Sequence, residues 1–253
     1  MRTRALAPVV LLLSLTLAAC SAPSTAPTGG SDGTAAPAPT DDFADVSSYY
    51  PVAEGNTWEY EMTMPEPIGT VVETETMTKV VRDGDTVRAT IARTFHYENG
   101  STPDIEDTVD YVFYDDGSIE VPYQSLPDAS GGTVTVKSGE MRWPSDAEFE
   151  AGTPKTGTIE ATVETAGQSI DQTVDFTITG AGVESVTVPA GTFDARILSQ
   201  KLVVKIPSLG LDGLPIAATS WLSKGTGLVK TELPGLLGTG AIVLQLVKFT
   251  PAA

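Results

Sequence analysis

The chain has one cysteine and one histidine in 253 residues, Cys20 and His96. A lone thiol forms no intramolecular disulfide and no thiolate metal cluster. Histidine-based nucleophile activation or metal binding would have to use His96. Positive charge is also scarce: 15 Lys and Arg stand against 33 Asp and Glu, for a net charge of −18. Such a surface repels nucleic acid and anionic lipid headgroups and favours solubility. Long apolar runs are missing too. The most evident one, Leu6 to Leu17, is roughly a dozen residues, where a membrane-spanning helix needs about 20. No SxxK or HExxH motif and no glycine-rich phosphate loop occurs, so several common signatures of hydrolases and nucleotide binders have no counterpart here.

What is present begins at the N-terminus. Arg2 and Arg4, the apolar run and the small residues Ala18 and Ala19 follow the order of a secretory signal peptide. The string Leu17-Ala18-Ala19-Cys20 resembles the lipobox of bacterial lipoproteins. That resemblance implies cleavage after Ala19, a thioether-linked diacylglyceryl group on Cys20 and, usually, an acylated amino terminus. Each buried acyl methylene contributes about 0.8 kcal/mol, and two or more chains hold where one does not. Removing residues 1–19 deletes two arginines and no acid, so the mature charge is −20. Residues 21–40 are all Ser, Ala, Pro, Thr or Gly except Asp32. Nothing there offsets the entropy of ordering the chain, so a tether of about 25 Å mean span is expected. The domain organisation is then a signal peptide over 1–19, a lipidated cysteine and tether over 20–41, and a folded domain over 42–251.

That domain reads as all-β. In "TVRATIARTFHY" Val87, Ala89, Ile91, Phe95 and Tyr97 share one face, with Arg88, Thr90, Thr94 and His96 on the other. "TIEATVET" and "TVDFTIT" alternate likewise. Period two with one wet face predicts half-buried strands. Asp83-Gly84 and Asp116-Gly117 predict hairpin turns, as do Asn99-Gly100 and the Gly180–Gly182 stretch. A short helix is expected near Ser145–Gly152. Such a series of hairpins implies one large antiparallel sheet, curled or half-barrel, with few short helices.

Three stretches carry a second resemblance: "YYPVAEGNTWEYEM" (49–62), "VTVPAGTFDARIL" (186–198) and "TSWLSKGTGLVKTE" (219–232). Together they resemble a group of exported bacterial proteins of unknown function with a YYP-x3-GN-x-W-x-Y opening, a VPAGTFDA hairpin and a late GxGLVK strand pair. The third stretch lacks the second aromatic usual beside Trp221. Such proteins look related to curled-sheet envelope proteins, some of which carry lipids or lipoproteins. No catalytic residues come with the resemblance. The motifs have physical roles as well. Gly55-Asn56 launches the strand bearing Trp58 and Tyr60, which are core anchors by default. Pro189 and Gly191 suit a tight turn.

Candidate sites are few. His96 falls on the polar face. The acids Asp104, Glu106, Asp107 and Asp110 offer oxygens to Ca²⁺ but lack the DxDxDG loop, and charge runs usually form solvated sheet edges. Neither a metal nor a cofactor is expected, and no catalytic residue is assigned. The apolar stretches "LGLDGLP" and "LPGLLGTG" read as loops, yet hold Leu209, Leu211, Leu214, Leu233, Leu236 and Leu237. Loops normally run over the surface, so these leucines either cap the core or line the mouth of an apolar cavity. On the second reading Leu209, Leu211, Leu214, Leu236 and Leu237 would contact a hydrophobic ligand. The expected function is a non-catalytic, membrane-anchored module of the bacterial envelope; the alternative is a binder or carrier of lipid. The expected partners are the membrane, through the lipid anchor, and either a hydrophobic ligand or an envelope protein; nucleic acid is not expected.

Overall fold

Alternating apolar and polar residues carry most of the chain into strands. The computed structural model describes residues 43, 47, 49–100, 102–123, 133–165, 168–235 and 240–252. Among these, 13 strands and one α-helix form. In chain order the first strands are β1 (Thr57–Thr63), β2 (Thr70–Asp83), β3 (Thr86–Tyr97), β4 (Ile105–Tyr114), β5 (Ile119–Val121), β6 (Thr133–Ser138) and β7 (Met141–Trp143). Helix α1 (Asp146–Ala151) precedes β8 (Lys155–Thr165), β9 (Gln168–Val188), β10 (Gly191–Ile206), β11 (Leu211–Ser223), β12 (Gly227–Leu233) and β13 (Ile242–Thr250). All belong to one sheet, ordered β6-β8-β9-β10-β11-β12-β13-β1-β2-β3-β4-β5-β7. Every pairing is antiparallel.

The sheet is curled but not closed by hydrogen bonds. Its outermost strands, β6 and β7, are consecutive in the chain and joined by Gly139 and Glu140, and β7 comes to lie against β8. Gly139 makes the crossing possible. It has φ +85°, and a Cβ there would stand 2.1 Å from the Thr158 carbonyl oxygen of β8. The concave face is filled by one contiguous cluster that includes Trp58, Met77, Ile91, Phe113, Ile159, Ile178 and Leu246.

Two segments differ from the sequence expectation. Gly180–Gly182 is not a turn but a bulge within β9: Arg196 opposes Val183, and Leu198 opposes Gly180. Gly182 takes the positive φ that the extra residue requires. "LGLDGLP" is not a loop. After a 3₁₀ turn over Pro207–Leu209, Leu211 starts β11. Gly213 is the extra residue of a second bulge. Pro215 lies in a stretch where β11 has β10 on one side, while β12 pairs only with Thr219–Ser223, a place where a missing N–H is tolerated. Helix α1 forms where expected. Ser145 and Glu148 make a capping box, and Gly152 ends the helix in the left-handed region.

The motifs act as fasteners. Asn56 is buried; its Nδ2 donates to the Pro51 carbonyl at 3.0 Å, and its Oδ1 accepts from the Ala252 N–H at 2.8 Å. It ties both ends of the described domain together. The turn after Val188 crosses toward β13, where the Ala190 N–H donates to the Leu246 carbonyl at 3.0 Å. Trp58 Nε1 donates to the Thr226 carbonyl at 2.7 Å, and Tyr60 Oη to the Leu228 carbonyl at 3.1 Å.

Candidate functional site: a buried charge cluster

Strand parity puts charge in the core. On β2 Val71, Glu73, Glu75 and Met77 are buried, each two apart, and Val80 follows them into the core after a register shift. On β3 the series Ile91, Arg93, Phe95 is buried, and on β4 Asp107 lies between Ile105 and Val109. The register aligns them: Glu75 opposes Arg93, and Arg93 opposes Asp107. Glu73, Glu75 and Arg93 are 4%, 6% and 3% exposed.

The pairing within this row is uneven. Arg93 grips Asp107 with two bonds, Nε to Oδ1 at 2.8 Å and Nη2 to Oδ2 at 2.5 Å. Its Nη1 lies 4.0 Å from Glu73 Oε1. Tyr50 Oη donates to Glu75 Oε2 at 3.4 Å, and Glu73 and Glu75 lie next to each other on the buried face of β2. Aromatic rings surround the row: Tyr50 packs on Trp58, Tyr111 and Phe113 with centroids 5.2, 5.5 and 5.9 Å away.

Burial sets the electrostatics. It drives Glu73 well above the ordinary carboxyl range, the adjoining Glu75 charge adds to this, and Arg93 opposes it. Burial also raises Glu75, against the pull of Arg93 and the Tyr50 hydroxyl. Tyr50 and Tyr60 are pushed up by burial and then by the Glu75 charge. Burial and the neighbouring carboxylate raise Glu73 furthest, while Arg93 and the Tyr50 hydroxyl restrain Glu75, so the pair as a whole holds a proton more strongly than two free carboxyls. Groups this far beneath the surface can balance protons and charge within the core.

The residues singled out from sequence fall elsewhere. His96 is on the outer face, its Nδ1 2.8 Å from Asp104 Oδ1, both exposed. The acidic run is split by strand parity: Asp107 turns inward to Arg93, while Asp110 turns outward to Arg88 and Thr90. Among the described residues no group of three or more His, Cys, Asp or Glu is arranged to hold a metal. Leu209 is 46% exposed in the 3₁₀ turn. Leu211 and Leu214 are half-buried on β11 and pack against the main core. Cys20, Leu236 and Leu237 lie outside the described residues.

Sequence reasoning missed Glu73, Glu75 and Arg93. The signal was present: Val71-x-Glu73-x-Glu75-x-Met77 and Ile91-x-Arg93-x-Phe95 put charge at the apolar parity.

A family model, DUF3108-like, matches residues 53–233. The chain belongs to the DUF3108-like family. The match contains Glu73, Glu75, Arg93 and Asp107 and stops short of Tyr50. Two solved structures share the fold. A candidate lipoprotein from Parabacteroides distasonis aligns over 81% of this chain and 99% of its own, at 15% identity and a TM-score of 0.62. A candidate exported protein with a YmcC-like fold from Bacteroides fragilis aligns over 81% and 100%, at 12% identity and a TM-score of 0.60. At these identities the likeness is one of fold. A comparison with curated proteins finds no match.

Proposed function

We propose that this DUF3108-like chain is an exported, lipid-anchored protein of the bacterial envelope, and that its β domain is a non-catalytic structural or interaction module. The observation that carries the reading is the filling of the curled sheet. Trp58, Met77, Phe113, Ile159, Ile178 and Leu246 from both halves meet in one cluster, and Glu73, Glu75 and Arg93 are buried rather than offered to a solute. A carrier of acyl chains would need that volume for its guest. The anchor rests on Leu17-Ala18-Ala19-Cys20 and the tether behind it. The solved structures of the same fold, described as a candidate lipoprotein and a candidate exported protein, agree with it.

Fractionation tests the anchor. The wild-type protein stays in the membrane pellet after a carbonate wash, and Cys20→Ser leaves it unlipidated and releases it. Identical distribution of the two proteins would refute lipid attachment at Cys20.

A further inference from the structure

The charge count in the core is unbalanced. Three carboxylates, from Glu73, Glu75 and Asp107, face one guanidinium, and Asp107 takes two of its N–H groups. Glu73 and Glu75 sit side by side on one face of β2, two residues apart. The titratable groups facing them are Arg93 of β3, Asp107 and Tyr111 of β4, Tyr60 of β1, and Tyr50 of the segment before β1. Arg93 is the one cation among these, and the tyrosines are neutral donors. Of the two tyrosines nearest β1, Tyr60 gives its hydroxyl hydrogen to the Leu228 carbonyl, which leaves Tyr50 to serve Glu75. Two ionised glutamates in this enclosure would leave two uncompensated negative charges out of water, which a core does not accommodate.

We propose that Glu73 and Glu75 form a proton-dependent latch: one proton held between the two carboxyls keeps β1 to β4 packed around the row, and its loss in alkaline medium loosens these four strands. The sign follows from linkage. Both carboxyls hold protons more strongly in the folded chain than in the unfolded one, where the ordinary value is 4.5. The folded state therefore binds more protons over the interval above 4.5. The stabilisation is complete below that value and is lost as pH rises through the folded-state values. This runs opposite to a salt-bridged surface carboxylate, which stabilises as pH rises.

The test is urea unfolding of the full chain in detergent from about pH 6 to about pH 9. The wild-type midpoint falls with rising pH. In Glu73→Gln the amide keeps a donor toward Glu75 and carries no charge, so the fall flattens, and the variant becomes more resistant than wild type at the alkaline end. His96→Asn, which removes the one histidine, keeps the wild-type slope. Parallel curves for wild type and Glu73→Gln would overturn the proposal, as would a wild-type midpoint that rises with pH. If Glu73→Gln fails to fold, infrared spectroscopy of the wild type decides. A protonated-carboxyl band at neutral pH that vanishes on alkaline titration supports the latch, and its absence at neutral pH refutes it.

Discussion

Arg93 is the residue on which the core's electrostatics turn. It is the cation that holds Asp107 and faces Glu75, and removing one partner of a buried ion pair costs about 3–5 kcal/mol because the other is left uncompensated. Arg93→Met should lower the unfolding free energy by about that much in denaturant titrations. Arg93→Lys should recover only part of it, since an ammonium cannot reproduce the two-pronged grip on Asp107. An unchanged midpoint in Arg93→Met would mean that the row is electrostatically idle. Asn56 makes a second residue-scale case. Asn56→Ala leaves the Ala252 N–H without its acceptor, and a loss of about 1–3 kcal/mol is expected, with faster amide exchange at the C-terminus. Much of this scale was legible. The inward parity of Ile91 and Phe95, and the anchoring roles of Trp58 and Tyr60, follow from alternation and aromatic chemistry. The charged row escaped because chemical type was allowed to override parity: Arg93 shares its face with Ile91 and Phe95, and Glu73 shares its face with Val71, whatever their charge.

At the scale of elements, hairpin turns at Asp83-Gly84 and Asp116-Gly117 and the helix capped by Ser145 follow directly from local sequence. The bulges do not. Gly182 and Gly213 look like turn glycines because positive φ suits a turn and a bulge equally; what separates the two is whether a partner strand continues past them. That information lies in β10, which pairs on both sides of each irregularity. The junction of β6 and β7 is likewise a long-range fact. Gly139→Ala would set a methyl 2.1 Å from a backbone carbonyl, which no side-chain movement relieves. It should cost several kcal/mol or prevent folding. Gly84→Ala, at a hairpin tip with φ +58° and nothing within 4 Å, should cost about 1–2 kcal/mol from its left-handed backbone alone. Thermal melts of the pair measure the difference. Equal melting temperatures would show that the close passage of β6–β7 over β8 is not required.

The whole molecule combines a strongly acidic composition, a packed curled sheet and the lipobox-like string on which the proposed anchor rests. The leucines that suggested a ligand mouth divide into two kinds among the described residues. Leu209 is exposed, while Leu211 and Leu214 pack on the core. Leu211→Asp should therefore destabilise the domain by a few kcal/mol, because its carboxylate would enter a half-buried apolar contact, and Leu209→Asp should be nearly neutral. The most direct test of the module reading is native mass spectrometry of the acylated, mature protein released from detergent. The predicted result is a mass equal to the chain plus its covalent acyl groups, with no stoichiometric lipid recovered by solvent extraction. A reproducible additional mass of one lipid per chain, lost on extraction, would contradict a filled sheet and make the domain a carrier.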